Sequence, residues 1–274
     1  MKNSKNKNKI KNRNRLIIVG TLALLIILSA VFAAILAPND PYQTSASSIR
    51  MAPCAAYPFG TDNLGRCVFS RVLYGGRTTI AATFILVFIS FVIGTVLGML
   101  CGYYGGILDM ALMRLADIML AFPQMVIAIA VAGILNAGMT GAMIALGITM
   151  WVSFARLSRS HTFSIKNEAY IEAARFAGKT DLYIIMVHVF PGLLGPVLTN
   201  TLTQIGTTMI GLSGLSFLGL GVIPPKAEWG SMISEARAYI QIAPWAVIFP
   251  SLATVITIIV FNYLGDVVMD YREA

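Results

Sequence analysis

Charge is scarce in this 274-residue sequence: Asp, Glu, Lys and Arg make up 12% of it, while 57% is hydrophobic. A soluble domain carries about a quarter of its residues as charges, so this balance excludes an ordinary cytosolic enzyme. Histidine is rarer still. His161 and His188 are the only two, and Cys54, Cys67 and Cys101 the only cysteines, so no cluster stands at metal-ligand spacing. Cys54 and Cys67 share one segment, which leaves a disulfide in an oxidising compartment and two free thiols as alternatives. The apolar runs lack Lys, Arg, Glu and His in their middles; Asp109, Arg114 and Asp117 sit at an edge. A carrier coupled to protons or ions needs an ionisable group at depth, and a membrane enzyme needs paired acids or bases there, so both are disfavoured. Fourteen Met, scattered along the chain, read as packing filler rather than a soft-metal site.

The charge that is present is unevenly placed. The formal net value is +8, and residues 1–15 hold seven Lys or Arg and no acid, so the remaining 259 residues carry 13 bases and 12 acids. This tail is interleaved with Asn and has no aromatic side chain to stack on a base, which argues against nucleic acid and for a membrane topology signal. Leu16 to Leu36 then gives 21 uncharged residues, enough for a helix to cross a hydrocarbon core of about 30 Å. The run is longer than the roughly 7 to 15 residues of a signal-peptide core, and Ile35 and Ala37 make a poor cleavage site. Residues 16–36 are therefore read as a first transmembrane helix.

Five further apolar runs follow, Ile80 to Leu100, Ile118 to Leu135, Ala142 to Phe154, Leu194 to Leu220 and Trp245 to Leu264, giving an all-α, polytopic chain of six spans. With the N-terminus inside, the tail's seven bases, Arg114, Arg156, Arg159, Lys166, Arg175, Lys179 and Arg272 lie on the inner side. Arg50, Arg66, Arg71, Arg77, Lys226 and Arg237 lie outside. That bias places both termini in the cytoplasm. The division is then a basic tail at 1–15, an outer segment at 37–78, a five-helix core at 79–264 with an inner loop at about 155–191, and a C-terminal tail at 265–274. Gly94, Gly98 and Gly102 form a stripe suited to close helix packing, and Pro123, Gly211, Gly214, Gly219 and Gly221 permit bends.

Ala173 to Thr180, A-A-R-F-A-G-K-T, satisfies a relaxed phosphate-loop pattern but follows a helical stretch rather than a strand, so nucleotide binding by this chain is not expected. The longer stretch Tyr170-Ile171-Glu172-Ala173-Ala174-Arg175-Phe176-Ala177-Gly178, with Phe190-Pro191 following, resembles the E-A-A loop of permease subunits of ATP-binding-cassette (ABC) importers. Pro58-Phe59-Gly60-Thr61-Asp62-Asn63-Leu64-Gly65-Arg66, Ser70-Arg71, Tyr74-Gly75 and Arg77 resemble the second permease of dipeptide, oligopeptide and nickel importers. So do Leu215 to Gly221, Pro224-Pro225 and Glu228-Trp229-Gly230.

The resemblance implies a type I ABC importer permease fold in a bacterial cell membrane, forming half of a translocation pathway. It implies no catalytic residue and no metal or cofactor on this chain, with ATP and Mg on separate ATPase subunits. The implied partners are a second permease, those ATPases, an extracytoplasmic substrate-binding protein and membrane lipid. Glu172, Ala173, Ala174, Gly178 and Pro191 would couple the pore to the ATPase. Asp62, Arg66, Arg71 and Arg77 face either the binding protein or one another in a loop scaffold, and the scaffold is preferred; Trp229 is expected to anchor at the membrane interface. Cys67 and Leu212-Ser213-Gly214 depart from the peptide pattern and lean toward nickel or a nickel chelate, with peptide import as the alternative. An ATP-independent channel or secondary carrier is the competing class.

Overall fold

In the computed structural model, residues 2–135 and 138–273 are described, with side chains for 12–135 and 138–271. Helix α1 (Lys2–Val31) breaks at Phe32 and resumes as the single turn α2 (Ala33–Leu36), so the apolar run Leu16 to Leu36 is not one unbroken helix. Residues 37–67 form an irregular segment folded on tight turns, with left-handed backbone at Gly60 and Gly65. A Cβ at Gly60 would lie 2.6 Å from the Met51 carbonyl oxygen, so both the backbone angle and the space require glycine there.

Helix α3 (Val68–Tyr104) is 37 residues long and starts twelve residues ahead of the apolar run at Ile80. Its extra turns contain Gly75 and Gly76, costly in a helix by about 1 kcal/mol each. They face Trp229: a Cβ at Gly76 would stand 2.8 Å from its ring. Farther along, Gly94, Gly98 and Gly102 lie against helix α6 (Met139–Lys166), where a Cβ at Gly98 would be 2.8 Å from the Ala155 Cα and one at Gly102 2.6 Å from the Arg159 carbonyl oxygen. In a bilayer two apolar helices gain little by leaving lipid, so backbone approach of this kind has to hold them together.

Gly105 and Gly106, both at positive φ, end α3 and start α4 (Gly106–Leu120). The expected single span Ile118 to Leu135 is instead divided. Helix α5 (Gln124–Ile134) leaves α4 at 88°, because Pro123 donates no backbone hydrogen bond and disfavours helical backbone at Phe122. Helix α6 runs twelve residues past Phe154, so the loop expected at 155–191 shrinks to the residues around α7 (Ala169–Phe176). Helix α8 (Asp181–Ile184) passes through a π-helical turn, Ile185–Val189, into α9 (Phe190–Phe217). The wider turn falls where the Pro191 ring would otherwise meet the carbonyl four residues back.

Helix α10 (Trp229–Ala236) and α11 (Trp245–Glu273) complete the chain. Five helical stretches are long and apolar enough to cross a membrane, six if the bent pair α4–α5 counts as one. Helix α3 runs through the middle, against α1, α6, α9 and α11. Asn12 donates to the Asp270 carbonyl, and Met269 shares a cavity wall with His161, so both ends of the chain lie on the side that carries α7.

Candidate functional site: an exposed helical knob, a buried ion cluster and a polar cavity

Helix α7 is short and well specified. Glu172 stands in its first turn and Arg175 in its last, each favourable to the helix dipole. Its end is a Schellman turn. Gly178 sits at φ 74°, its N–H donates to the Arg175 carbonyl at 2.9 Å, and the Lys179 N–H reaches the Ala174 carbonyl at 3.1 Å. Ile171 is fully buried and pins the helix to the bundle, while Ala174 is half-buried. Glu172, Ala173, Gly178 and Pro191 are all exposed, as is Phe176, at 92% of its surface.

Tyr103, at the end of α3, fixes the knob from below. Its hydroxyl donates to Asp181 at 2.6 Å, its carbonyl accepts from Lys166 at 2.5 Å, and Arg175 stacks over its ring at 5.5 Å. Lys179, the apparent phosphate-loop lysine, lies over the Tyr183 ring, and Thr180 caps α8. No phosphate cradle is formed.

On the opposite side, Asp62, Arg66, Arg71 and Glu235 make one buried cluster. Arg66 reaches Asp62 at 2.6 Å and Glu235 at 2.7 Å, and Arg71 stands 3.5 and 3.7 Å from the same two carboxylates. Arg71 also donates to the Pro225 carbonyl at 3.2 Å, and Asp62 accepts from the backbone of Leu64 and Arg66. Burial weakens the Arg66 charge, but Asp62 and then Glu235 outweigh it and hold the guanidinium above its usual pKa. Burial and the Asp62 charge push the neighbouring Tyr239 hydroxyl upward too. Two cations and two anions at 1 to 21% exposure form a neutral rivet between residues 37–67 and α10. Asp62, Arg66 and Arg71 are therefore engaged with one another and with Glu235. Arg77 is apart from them, exposed on α3.

Trp229 is not at an interface. It is 4% exposed, and its indole N–H donates to the Val72 carbonyl at 2.8 Å. Glu228, fully buried, caps α10 by accepting from Gly230 and Ser231 N–H at 3.0 and 2.8 Å and from the Thr79 hydroxyl at 3.2 Å. Cys54 is exposed and Cys67 buried, and all three cysteines are free thiols, so the possible disulfide is not formed.

Between the α4–α5 bend, α6 and α9 lies a cavity of about 440 Å³, whose polar lining is Gln124, Thr149, Ser153, Gln204, Thr207 and Thr208. Thr149 and Thr208 bond to carbonyls within their own helices, and Thr207 to the Gln204 amide oxygen. The Gln204 NH₂, Gln124 and Ser153 keep their hydrogen-bonding capacity. Arg156 at the rim is paired with Asp117 at 2.5 Å, and no carboxylate lines the space. Among the described residues no three His, Cys, Asp or Glu gather closely enough to hold a metal ion. The wall can hydrogen-bond a solute but has no free charge with which to trap one.

A bundle of membrane-length helices with an exposed α7 knob at one side, a rivet at the other and a neutral cavity between them is that of a multi-pass membrane protein. Residues 94–274 match the family described as the binding-protein-dependent transport system inner membrane component, and the chain belongs to it. It is the permease subunit of an ABC importer. It is 39% identical over 259 residues to the dipeptide transport system permease protein DppC of Alkalihalophilus pseudofirmus, covering 94% of this chain and 85% of that one. With the glutathione transport system permease protein GsiD of Pectobacterium atrosepticum it shares 41% over 252 residues, 92% and 84% of the two chains. A chain from the inward-facing MetNI methionine ABC transporter superposes with a TM-score of 0.55 at 22% identity, over 75% of this chain and 96% of that one, and shares the fold.

Sequence reasoning singled out the α7 knob as a unit but missed the exposure of Phe176, the clamp at Tyr103, the partner Glu235 and the cavity. A hydropathy reading has no signal for them, since Glu235 lies 169 residues from Arg66.

Proposed function

We propose that this chain is one of two permeases in an ATP-driven importer of short peptides. The observation that carries the reading is the identity of 39% and 41%, over more than nine-tenths of the chain, with permeases named for dipeptide and glutathione transport. The cavity agrees. A peptide presents amide N–H and C=O groups, which Gln124, Ser153 and Gln204 can meet, whereas bare nickel would need ligands that its wall lacks. The lean toward nickel or a nickel chelate, drawn from Cys67 and Leu212-Ser213-Gly214, gains no support: the similar permeases are named for dipeptide and glutathione transport, and Cys67 is buried at the start of α3.

In this reading the α7 side is cytoplasmic, with both termini there, and residues 37–67 face the binding protein's compartment. ATP and Mg are bound by separate ATPase subunits. Their closure moves α7 through the exposed Glu172, Ala173 and Phe176, and the Tyr103 clamp passes the displacement to α3, α6 and α9. Coupling requires that docking free energy differ between the two pore states. The test is uptake of labelled dipeptides, glutathione and nickel in a strain deleted for this chain and complemented with it. Restored peptide uptake with unchanged nickel uptake is expected; restoration of nickel alone overturns the reading.

A further inference from the structure

Arg77 is the one charged side chain of the 58–77 stretch that the ion cluster leaves out. It is exposed on α3 and makes no ion pair or hydrogen bond among the described residues. It lines the groove of about 360 Å³ between α1 and α3, whose other walls are Ile27, Ala30, Val31, Ile80, Ala81 and Phe84. Only 17% of the α1 span is buried, so the groove opens on the face of the bundle that meets the bilayer. It lies toward the end of the spans where residues 37–67 begin, since Val31 closes α1 there.

A guanidinium with no partner beside hydrocarbon is costly, and it is relieved by an anion that accepts its planar fork. Phosphate oxygens fit that fork, and the rest of the groove offers neither donor nor acceptor. An extended peptide laid there would leave its amides unpaired, whereas an acyl chain requires nothing more than apolar walls. We propose that this groove holds one anionic glycerophospholipid, with its phosphodiester on Arg77 and an acyl chain along Ile27, Ile80 and Phe84. The lipid belongs to the leaflet on the side of residues 37–67 and fills the gap beside the sparsely packed α1. A headgroup carrying its own cation, as in phosphatidylcholine, competes with Arg77 for the phosphate and binds less well.

The test is native mass spectrometry of the intact importer, titrated with phosphatidylglycerol or phosphatidylcholine of identical acyl chains. The wild-type complex retains phosphatidylglycerol preferentially. Arg77→Gln weakens that retention about tenfold, as expected for loss of one charge-assisted contact. Ala81→Trp, which fills the groove while keeping Arg77, weakens retention of both lipids. Both positions are exposed, and melting temperatures are compared so that loss of lipid is read on folded protein. Unchanged phosphatidylglycerol retention in either variant overturns the proposal. So does a photo-crosslinker at Val31, which lines the same groove and leaves Arg77 in place, that captures the second permease instead of lipid.

Discussion

Replacing Gly98 with alanine separates two effects that pull in opposite directions. Helix propensity alone favours Ala over Gly by about 1 kcal/mol. At Gly98, however, the added Cβ would lie 2.8 Å from the Ala155 Cα, with the Ala155 carbonyl also in its way. Both obstacles are backbone, so no side chain can rotate aside, and α3 and α6 must separate. Overpacking costs about 1–3 kcal/mol, and a clash with backbone that cannot rotate away belongs in the upper part of that range. After the propensity gain about 1–2 kcal/mol remains, so at roughly 2–4 °C per kcal/mol the melting temperature falls by about 2–8 °C. Gly20→Ala in α1 is the matched control, because nothing lies within 4 Å of a Cβ there. It should be neutral or slightly stabilising. The assay is thermal unfolding of the purified chain in a Cys54→Ser background, followed by a thiol-reactive fluorophore, since Cys54 is exposed while Cys67 and Cys101 are buried and report opening of α3. Gly94→Ala combined with Gly98→Ala should cost less than the sum of the two, because one helix displacement relieves both contacts. A Gly98→Ala protein that melts at or above wild type would refute backbone packing as the bond between α3 and α6.

Glu172→Lys and Phe176→Ala should each leave the melting temperature and membrane level unchanged while abolishing or strongly reducing peptide uptake, because both side chains are exposed and the proposed coupling uses them only for docking. Asp62→Ala leaves Arg66 and Arg71 facing one carboxylate and two backbone N–H groups unpaired. A loss of about 3–5 kcal/mol, the range for breaking a buried ion pair, should appear as lower stability and faster proteolysis within residues 37–67. Glu228→Gln keeps one acceptor and should cost about 1–2 kcal/mol in a melt, and Glu228→Ala should cost more because the N–H groups of Gly230 and Ser231 and the Thr79 hydroxyl are all left without it. In the native protein a maleimide should label Cys54 quickly and leave Cys67 and Cys101 unlabelled until denaturant is added.

The membrane-crossing order was legible because an apolar run of the right length has one stable use in a bilayer. Helix ends were less so. Val68 to Thr79 and Ala155 to Lys166 are helical beyond the apolar runs, where hydropathy falls although neither stretch contains proline. The α7 knob could be read from Glu172, the paired alanines and Gly178 because helix, cap and turn are local chemistry. The rivet could not. Asp62 and Arg66 are neighbours on the chain, but Glu235 reaches them only once α10 is in place, so burial of Arg66 and Arg71 is a tertiary fact. Trp229 shows the same limit: an indole suits a membrane interface as well as a core, and what decides between them is the pair Gly75 and Gly76 on a distant helix. The cavity was illegible for a related reason, since Gln124, Ser153 and Gln204 come from three helices and share no spacing.

ATP-driven peptide import can be measured in proteoliposomes containing this chain, its second permease and their ATPases. Labelled dipeptide inside the vesicles is measured with binding protein, ATP and Mg supplied from the appropriate sides. Accumulation that requires all three and disappears with Glu172→Lys is the predicted result. Dipeptide that crosses at the same rate without ATP or binding protein, or with Glu172→Lys in place, would contradict it.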